Sequence, residues 1–328
     1  MALRKILIVK GEFSDMSRVI FVKQYPAKLR YQEFFSYLFP REFRKHFDEV
    51  VEIGASHKLL PDDRDKELFS PVKESILFEE QQIREFLNLQ LRYDDILFLA
   101  DISFPGFFSN VLYHKGIDNA FAFCHGTSLN HFDYFCKFKD SKWMIETGHS
   151  KLFKKVFVAT EYHKKKLGWN NIEVVGLPDT LFDGYRVEKK FDIISVARPS
   201  IQKVNEEVEA EIEKEFGKIE RAPKFSSWGQ YYKFLSQGKV LLSTAKEETF
   251  GYQILEAIKN NTVPVAPDRF SYPELLPKKY LYKNIEQLKE IIRLALDEKL
   301  EVPVLLNQNL VSSFFENLCG IMKKECNG

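Results

Sequence analysis

Short apolar runs alternate with amphipathic, helix-like stretches through the first half of the chain, and this alternation restricts the folds that the sequence can adopt. Each run spans four or five residues, whereas the stretch at 72–91 repeats its apolar positions with helical spacing. Strands that are joined by helical crossovers pair in parallel, so the pattern predicts a doubly wound α/β sheet. The predicted strands are residues 6–9, 50–53, 96–100, 120–124, 156–159 and 172–175.

The length of the chain, 328 residues, suits two domains better than a single core. The segment 176–190 contains Pro178 and Gly184, interrupts the alternation and is predicted to be a linker. Further apolar and helical segments follow from residue 191. We expect a first domain at 1–178, a second domain at 179–304 and a last helical segment at 305–328.

The composition indicates packed cores and no overall attraction to polyanions. Hydrophobic residues make up 45% of the chain, and 48 basic against 47 acidic residues give a formal charge of +1. One local cluster is a candidate acceptor surface, with solvated helix ends as the alternative. It comprises Lys151, Lys154, Lys155, Lys164, Lys165 and Lys166.

No apolar stretch is long enough to act as a signal peptide or to cross a membrane. We therefore expect a cytoplasmic protein, in the host cytoplasm if its origin is viral, and a monomer or weak dimer. The four cysteines show neither paired nor zinc-like spacing, which predicts free thiols.

The segment 241–277 combines two carboxylates, a glycine and a helical pattern between two apolar runs, at 240–243 and 262–266. Glu248 and Glu256 flank Gly251, where the first run gives way to the helical pattern. The first N–H groups of a helix lack partners within it, and with the helix dipole they form a site for phosphate. Glycine at this point lets a ligand approach the backbone.

Two interpretations of Glu248 and Glu256 are open. Helical rise places them roughly 10 Å apart, beyond the range of about 5–9.5 Å over which two carboxylates act across one bond. They can instead bracket a long ligand, with one accepting hydrogen bonds from sugar hydroxyls, the other from a ribose, and a diphosphate between them. The alternative is a pair of solvated glutamates near a helix start, where acidic residues are favoured.

Arg198 follows an apolar run at 191–196, and Lys203 lies five residues later. An arginine fork and a lysine charge together can hold a diphosphate as negative charge develops on it. The alternative is a surface pair that the acidic segment 206–215 neutralises. On the first interpretation these cations stabilise the leaving group, and we expect neither a metal nor a cofactor.

The segment 241–277 and its continuation to 292 resemble the C-terminal signature of family 4 retaining glycosyltransferases of the GT-B fold, in which a Glu-x7-Glu element carries the nucleotide sugar. The sequence SVARPSIQK around Arg198 and Lys203 is similar to the Arg and Lys pair of that family. Within the family, the likeness is greatest to the tRNA-queuosine mannosyltransferase-like branch. It implies two Rossmann-like doubly wound parallel-sheet domains that face a central cleft, and a terminal helix that crosses back to the first domain.

The resemblance also reaches single residues. His125 resembles the family histidine that contacts the donor sugar, although Gly126 stands where relatives in the queuosine branch carry a glutamate. The implied catalytic residues are His125, Glu248, Arg198 and Lys203. The implied donor-binding residues are Gly11, Glu12, Arg198, Lys203, Thr249, Phe250, Gly251, Tyr252 and Glu256. On the acceptor side we expect Asp101, Phe104, His131 and Lys164.

The function implied is transfer of a hexose or pentose, with retention, from a nucleoside diphosphate sugar to an acceptor hydroxyl. The acceptor would be a modified base of tRNA or a hydroxymethylated base of viral DNA. Aromatic residues near the strand ends can stack on such a base, with core packing as the alternative. They are Phe104, Phe107, Phe108, Phe132, Tyr134 and Phe135.

Other functions stay open at this point. The acceptor can be a glycan, a lipid or a small molecule, and the protein can be a sugar-nucleotide epimerase or a non-catalytic nucleotide-binding module. The segment from Arg198 to Glu248 is short for the family, so we expect a minimal wall on the nucleobase side.

Overall fold

The computed structural model describes residues 17–25, 31–54, 70–102, 108, 111, 117–132, 139–180, 182–306 and 309–327. Within these ranges the chain forms two parallel β-sheets with helices packed against them. The α/β architecture with two doubly wound sheets is therefore confirmed. The boundaries of the two domains stay a prediction.

The first sheet has six strands, which all pair in parallel. They are β1 Arg18–Val22, β2 Glu49–Ile53, β3 Ile96–Leu99, β4 Ala120–Phe123, β5 Lys155–Val158 and β6 Ile172–Val174. Their order across the sheet is β2-β1-β3-β4-β5-β6. The helices of this part are α1 Tyr31–Phe43, α2 Ser70–Leu87, α3 Lys139–Ser150 and α4 Glu161–Leu167.

The buried strand β1 is absent from the sequence predictions. It pairs with both β2 and β3, so that Val19 lies opposite Val50 and Ile96. An arginine begins this strand, and a salt bridge of 2.5 Å between Arg18 Nη2 and Asp95 Oδ2 allows its burial. The predicted strand at 6–9 lies outside the described residues, as do Gly11 and Glu12.

The second sheet has five parallel strands in the order β11-β10-β9-β7-β8. They are β7 Phe191–Ser195, β8 Glu220–Arg221, β9 Gly238–Leu242, β10 Val263–Pro267 and β11 Leu281–Tyr282. Its helices are α5 Glu206–Phe216, α6 Trp228–Gln237, α7 Tyr252–Lys259, α8 Tyr272–Leu275 and α9 Ile285–Leu296, with a 3-10 turn at Lys278–Tyr280. The first residue of helix α8, Tyr272, is fully buried.

The linker at 176–190 passes very close to the end of α7. A Cβ atom on Gly184 would lie 1.8 Å from the carbonyl oxygen of Lys259, so no larger residue fits there. Asn260 continues this contact, because its side-chain oxygen accepts a hydrogen bond from the backbone N–H of Tyr185.

The last helix, α10 Val311–Asn327, packs against α1 of the first sheet. The buried ring of Phe315 lies 5.0 Å from the ring of Phe39 and 5.8 Å from that of Phe43, centroid to centroid. The Lys154 ammonium group also donates to the carbonyl oxygen of Glu325, 2.7 Å away. The end of the chain thus lies against the first sheet.

Among the described helices, none combines the length and the apolar character that a bilayer span requires. Cys124, Cys319 and Cys326 are free thiols, and Cys136 lies outside the described residues. The compartment and the oligomeric state stay predictions.

The packing of α10 predicts a large effect from one substitution. Phe315→Ala should lower the free energy of unfolding by about 3–5 kcal/mol, because it leaves a cavity among buried rings. Denaturant unfolding followed by circular dichroism measures this change. Val304→Ala, at a side chain that is 89% exposed, is the control and should change it by less than about 0.5 kcal/mol. Equally small effects in both variants would contradict the packing.

Candidate functional site

The carboxyl ends of strands from both sheets open into one cavity of about 300 Å³. The first sheet contributes His125 after β4 and His163 from α4, and the second contributes Arg198 after β7 and Glu248 after β9. Ligands of open α/β sheets bind beyond the carboxyl ends of the strands. The cavity is therefore the candidate site, and it brings together His125, Arg198, Lys203, Glu248 and Glu256 as the sequence predicted.

A glycine turn begins α7 at the floor of the cavity. Gly251 has a φ of +100°, in the left-handed region, and a Cβ there would lie 3.0 Å from a ring carbon of Tyr272. Thr249, Phe250 and Tyr252 line the cavity on either side of this turn. The first N–H groups of α7 therefore begin at the cavity, where the dipole of the helix favours an anion.

Two cationic side chains lie beside this turn. The Lys203 ammonium group forms a salt bridge of 2.8 Å with the carboxylate of Glu248. Arg198 is exposed, and within the described residues no carboxylate forms a salt bridge with it. Its guanidinium group is thus available for a bidentate contact with an anionic ligand.

The carboxylate of Glu256 is buried between tyrosines of α6. The Tyr231 hydroxyl donates to its Oε2 over 2.6 Å, and the Tyr232 hydroxyl donates to its Oε1 over 3.3 Å. Burial raises the pKa of Glu256 to about 7, although both hydrogen bonds favour the charged form. The pKa of this carboxyl therefore lies close to neutral pH, and the group accepts hydrogen bonds when ionised and can also donate one when protonated.

An aromatic wall, made by Phe225, Trp228, Tyr231 and Tyr232, lines the cavity next to Glu256. The rings of Trp228 and Tyr232 stack with centroids 5.7 Å apart and an interplanar angle of 19°. The expectation of a minimal wall on the nucleobase side stays a prediction. One helix supplies most of this wall, because three of its first five residues are aromatic.

His125 is held as a neutral hydrogen-bond acceptor. Its ring stacks on that of Phe123, and its Nε2 lies 3.1 Å from the carbonyl oxygen of Ala100, which can only accept a hydrogen bond. Burial lowers the pKa of His125 to about 3, so the ring is neutral near pH 7. With its proton on Nε2, the ring presents Nδ1 as an acceptor for a hydroxyl group.

His163 lines the same cavity, although no sequence pattern indicates this position. Its backbone N–H donates to the capping hydroxyl of Thr160, which places it in the first turn of α4. The ring is 1% exposed, neither nitrogen has a hydrogen-bond partner, and burial lowers its pKa to about 3. It adds a second neutral imidazole to the wall formed by the first sheet.

Two glutamates whose individual roles the sequence does not indicate connect the two walls of the cavity. The Glu274 carboxylate accepts hydrogen bonds from the backbone N–H groups of Glu161 and Tyr162, the first residues of α4, over 2.8 and 2.7 Å. The Glu247 carboxylate lies 2.7 Å from the Lys166 ammonium group. No local pattern indicates these roles, because the partners are about 80–115 residues apart in the chain.

Those expected acceptor residues that the structure describes, Asp101, His131 and Lys164, do not line the cavity. Asp101 accepts a hydrogen bond from the Gln24 side chain and, like Lys164, is outside the cavity lining. The backbone N–H of His131 donates to Glu247. Phe104 lies outside the described residues.

The structure also differs from the expectation for the aromatic residues that could stack on a base and for the lysine cluster. Phe108 is buried against Phe86, with ring centroids 5.1 Å apart, so core packing, the alternative to stacking on a base, holds for this residue. Phe132 is 42% exposed. Lys154 is bound to the last helix and Lys166 to Glu247, so these lysines do not form one free surface. Phe107, Tyr134 and Phe135 lie outside the described residues.

No model of a known protein family matches the chain. A tRNA-queuosine alpha-mannosyltransferase of Drosophila melanogaster is 34% identical over an alignment of 118 residues, which covers 34% of this chain. The matched region spans only 29% of the fly protein.

Solved structures resemble the chain over nearly its whole length. The sucrose-phosphate synthase of Thermosynechococcus elongatus superimposes with a TM-score of 0.60 at 8% identity, covering 95% of this chain and 97% of that one. HepE of Anabaena, crystallised with UDP and glucose, gives a TM-score of 0.58 at 10% identity, covering 94% and 99%. Both are GT-B glycosyltransferases. The chain has the GT-B fold. At these identities the likeness establishes the fold, and the cavity described above lies between the two sheets of that fold.

The raised pKa of Glu256 predicts how stability depends on pH. Below about pH 4.5 the carboxyl group of Glu256 is protonated in the folded and in the unfolded protein. Between about pH 4.5 and 7 it ionises in the unfolded chain but keeps its proton in the folded protein. Stability should therefore fall as pH rises through this range, by about 2–3 kcal/mol in total. Glu256→Gln should lack this loss, as measured by denaturant unfolding at pH 5 and pH 8.

The exposed residue Glu207 provides the matched control. Glu207→Gln should follow the pH dependence of the unmodified protein. Parallel profiles for the Glu256→Gln variant and the unmodified protein would show that Glu256 ionises normally and contradict the prediction.

Proposed function

We propose that this protein is a glycosyltransferase that binds a UDP-sugar in the cavity between its two sheets. One observation carries the proposal: the glycine turn that begins α7, the cations Arg198 and Lys203, and the carboxylates Glu248 and Glu256 all lie on one wall. Structural neighbours with the same fold were crystallised with UDP and a sugar, which supports the choice of uridine diphosphate as the carrier.

In the proposed complex, each part of the donor meets a side chain of suitable chemistry. The diphosphate lies at the first turn of α7, between Arg198 and Lys203. The ribose hydroxyls contact Glu256, which exchanges hydrogen bonds with them in either protonation state. The base stacks on the aromatic wall, since base-aromatic stacking is worth about 1–3 kcal/mol.

The sugar occupies the space between Glu248 and His125 in this proposal. Glu248 accepts hydrogen bonds from sugar hydroxyls, and Nδ1 of His125 accepts one from the opposite wall. The Lys203 ammonium group already contacts Glu248, so it can share its charge with the diphosphate oxygens as the sugar-phosphate bond breaks. Cations and helix N–H groups that face the leaving group stabilise the charge that develops there.

We propose a nucleic-acid acceptor, a hydroxyl group on a modified nucleoside of tRNA, and transfer with retention. The fly relative, by its name a mannosyltransferase acting on tRNA queuosine, supports the acceptor over the matched 118 residues. The resemblance of Glu248 and Glu256 to the Glu-x7-Glu element supports retention. Independence of metals stays a prediction.

Donor identity is tested by the thermal stability of the protein with UDP, GDP, ADP and their sugars. UDP and one UDP-sugar should raise the midpoint, since a ligand at 100 times its dissociation constant stabilises by about 2.7 kcal/mol. Slow release of UDP from the same UDP-sugar should then be measurable. No shift with any of the six classes of ligand would contradict the proposal.

Two variants separate binding from turnover in that assay. Arg198→Ala should lower kcat for UDP release by roughly a hundredfold, because it removes a contact that strengthens in the transition state. Glu256→Ala should mainly raise the KM for the donor, by about tenfold, because a ribose contact acts equally in both states. The exposed residues Arg186 and Glu207 supply matched alanine controls, which should change neither value. Full activity in both site variants would defeat the assignment.

The acceptor is tested by transfer of labelled sugar to tRNA with and without queuosine. Label should enter only the modified tRNA, and binding of that tRNA should weaken as salt rises because phosphate contacts release counterions. Anomeric analysis of the product by NMR tests retention. Absence of tRNA binding at low salt, together with transfer to a glycan or lipid, would overturn the nucleic-acid acceptor.

A further inference from the structure

The carboxylate of Glu247 joins segments from both walls of the cavity. It accepts hydrogen bonds from the backbone N–H groups of His131 and Phe132, over 3.2 and 3.3 Å. It also lies 2.7 Å from the ammonium group of Lys166, in the last turn of α4. All three donors belong to the part of the chain that forms the first sheet, whereas Glu247 follows β9 of the second sheet.

The carboxylate of Glu247 and its cationic partner are shielded from water, although His131 and Phe132 are exposed residues. Glu247 is 4% exposed, and the side chain of Lys166 is 15% exposed. A charged hydrogen bond is stronger in such surroundings than at a surface, and removing Lys166 would leave the carboxylate buried without its cation. The contact is therefore expected to persist as long as the cavity keeps this shape.

Glu247 is also fixed to the wall that carries the proposed donor site. Its carbonyl oxygen lies 3.4 Å from the Lys203 ammonium group, whose salt bridge partner is the adjacent Glu248. The preceding N–H, that of Lys246, donates to the carbonyl oxygen of Gln202 over 2.9 Å. The backbone of Glu247 thus belongs to the donor side, while its side chain holds the opposite side.

A second link continues from this point along the cavity. The Thr249 hydroxyl donates to the carbonyl oxygen of His125 over 3.1 Å, and the Thr160 hydroxyl donates to the carbonyl oxygen of Thr249 over 2.9 Å. The loop between Glu247 and Gly251 is consequently bonded to the first sheet at two positions, one on each side of Glu248. Displacement of this loop would move Glu248 relative to His125.

We propose that Glu247 is a positioning residue, which holds the donor loop at 248–251 in register with the turn at 131–132 and so sets the distance between Glu248 and His125 across the sugar position. This role rests on the proposed function of the cavity. Glu247 itself need not touch the donor, because its carboxylate is already occupied by three donors from the first sheet.

This role has a distinctive kinetic consequence. The proposed diphosphate and ribose contacts, Arg198, Lys203 and Glu256, all belong to the second sheet, so donor affinity should survive loss of the contact. The transition state needs both walls at a fixed separation, so turnover should fall. Glu247→Ala should lower kcat for UDP release about tenfold or more and change the KM for the UDP-sugar by less than about threefold.

The contact itself can be measured without any substrate. Hydrogen exchange followed by mass spectrometry on peptides that cover 127–132 reports the N–H groups of His131 and Phe132. Their exchange should become roughly tenfold faster in Glu247→Ala, because each loses a hydrogen bond to a charged acceptor. Glu247→Gln keeps a carbonyl acceptor but loses the charge opposite Lys166. Its exchange rate and its kcat should therefore both be intermediate between those of the unmodified protein and those of Glu247→Ala.

The matched control is Glu42, a second buried glutamate in the last turn of α1, which pairs over 2.6 Å with a lysine, Lys45, just beyond the end of that helix. Glu42→Ala should lower stability while leaving exchange at 127–132 and kcat unchanged. The stoichiometry of UDP binding, measured by calorimetry, gives the concentration of folded sites, so that kcat refers to competent molecules in every variant.

Several outcomes would overturn the proposal. Unchanged exchange in Glu247→Ala would show that the contact does not hold the two walls. An equal loss of kcat in Glu42→Ala would reduce the effect to stability, and a raised KM with unchanged kcat would make Glu247 a donor-binding residue. If the unmodified protein binds no UDP-sugar, the proposed function is contradicted. The hydrogen-exchange measurement still tests the Glu247 contact in that case, because it needs no substrate.

Discussion

Two carboxylates of the second sheet, the buried Glu247 and the half-buried Glu274, hold the strand ends of the two parallel sheets against each other, and the shared cavity depends on that contact. Glu274 accepts hydrogen bonds from the first two N–H groups of α4, where the helix dipole also favours a negative charge. Glu247 makes the corresponding contact with the turn at 131–132 and with Lys166. Separating the walls would break these hydrogen bonds, and a hydrogen bond to a charged group contributes about 1.5–3 kcal/mol. The sheets therefore share one cavity instead of carrying two independent half-sites.

The cavity changes in character from one end to the other. Around the turn at Gly251, the cations Arg198 and Lys203 and the start of α7 favour a doubly charged anion. Beyond them, Glu256 lies among aromatic rings, where burial raises its pKa to about 7. On the opposite wall, burial lowers the pKa of His125 to about 3, so that its ring is uncharged near pH 7. A ligand with a charged centre, a polar sugar and a flat ring matches this order of surroundings. A nucleotide sugar has these three parts in that arrangement.

The sequence was sufficient for the elements whose cause is local. The predicted strands that fall within the described residues agree with the observed ones to within two residues, and the strand-end residues His125, Arg198 and Glu248 meet as expected. Strand β1 was missed although residues 19–22 form an apolar run like those of the predicted strands. The roles of Glu247 and Glu274 were missed because their partners are distant in the chain and leave no periodic pattern. Phe108 lies near a strand end, where a ligand contact was considered, but its ring packs in the core against Phe86.

The most direct test of this account is a crystal structure of the protein with UDP. We expect the diphosphate at the first turn of α7, within hydrogen-bonding distance of Arg198 and Lys203, the ribose at Glu256 and the uracil ring against Trp228 or Tyr231. The contacts of Glu247 with the turn at 131–132 should persist in the complex. A nucleotide bound outside the cavity, or inside it with the diphosphate away from Gly251, would contradict the central claim.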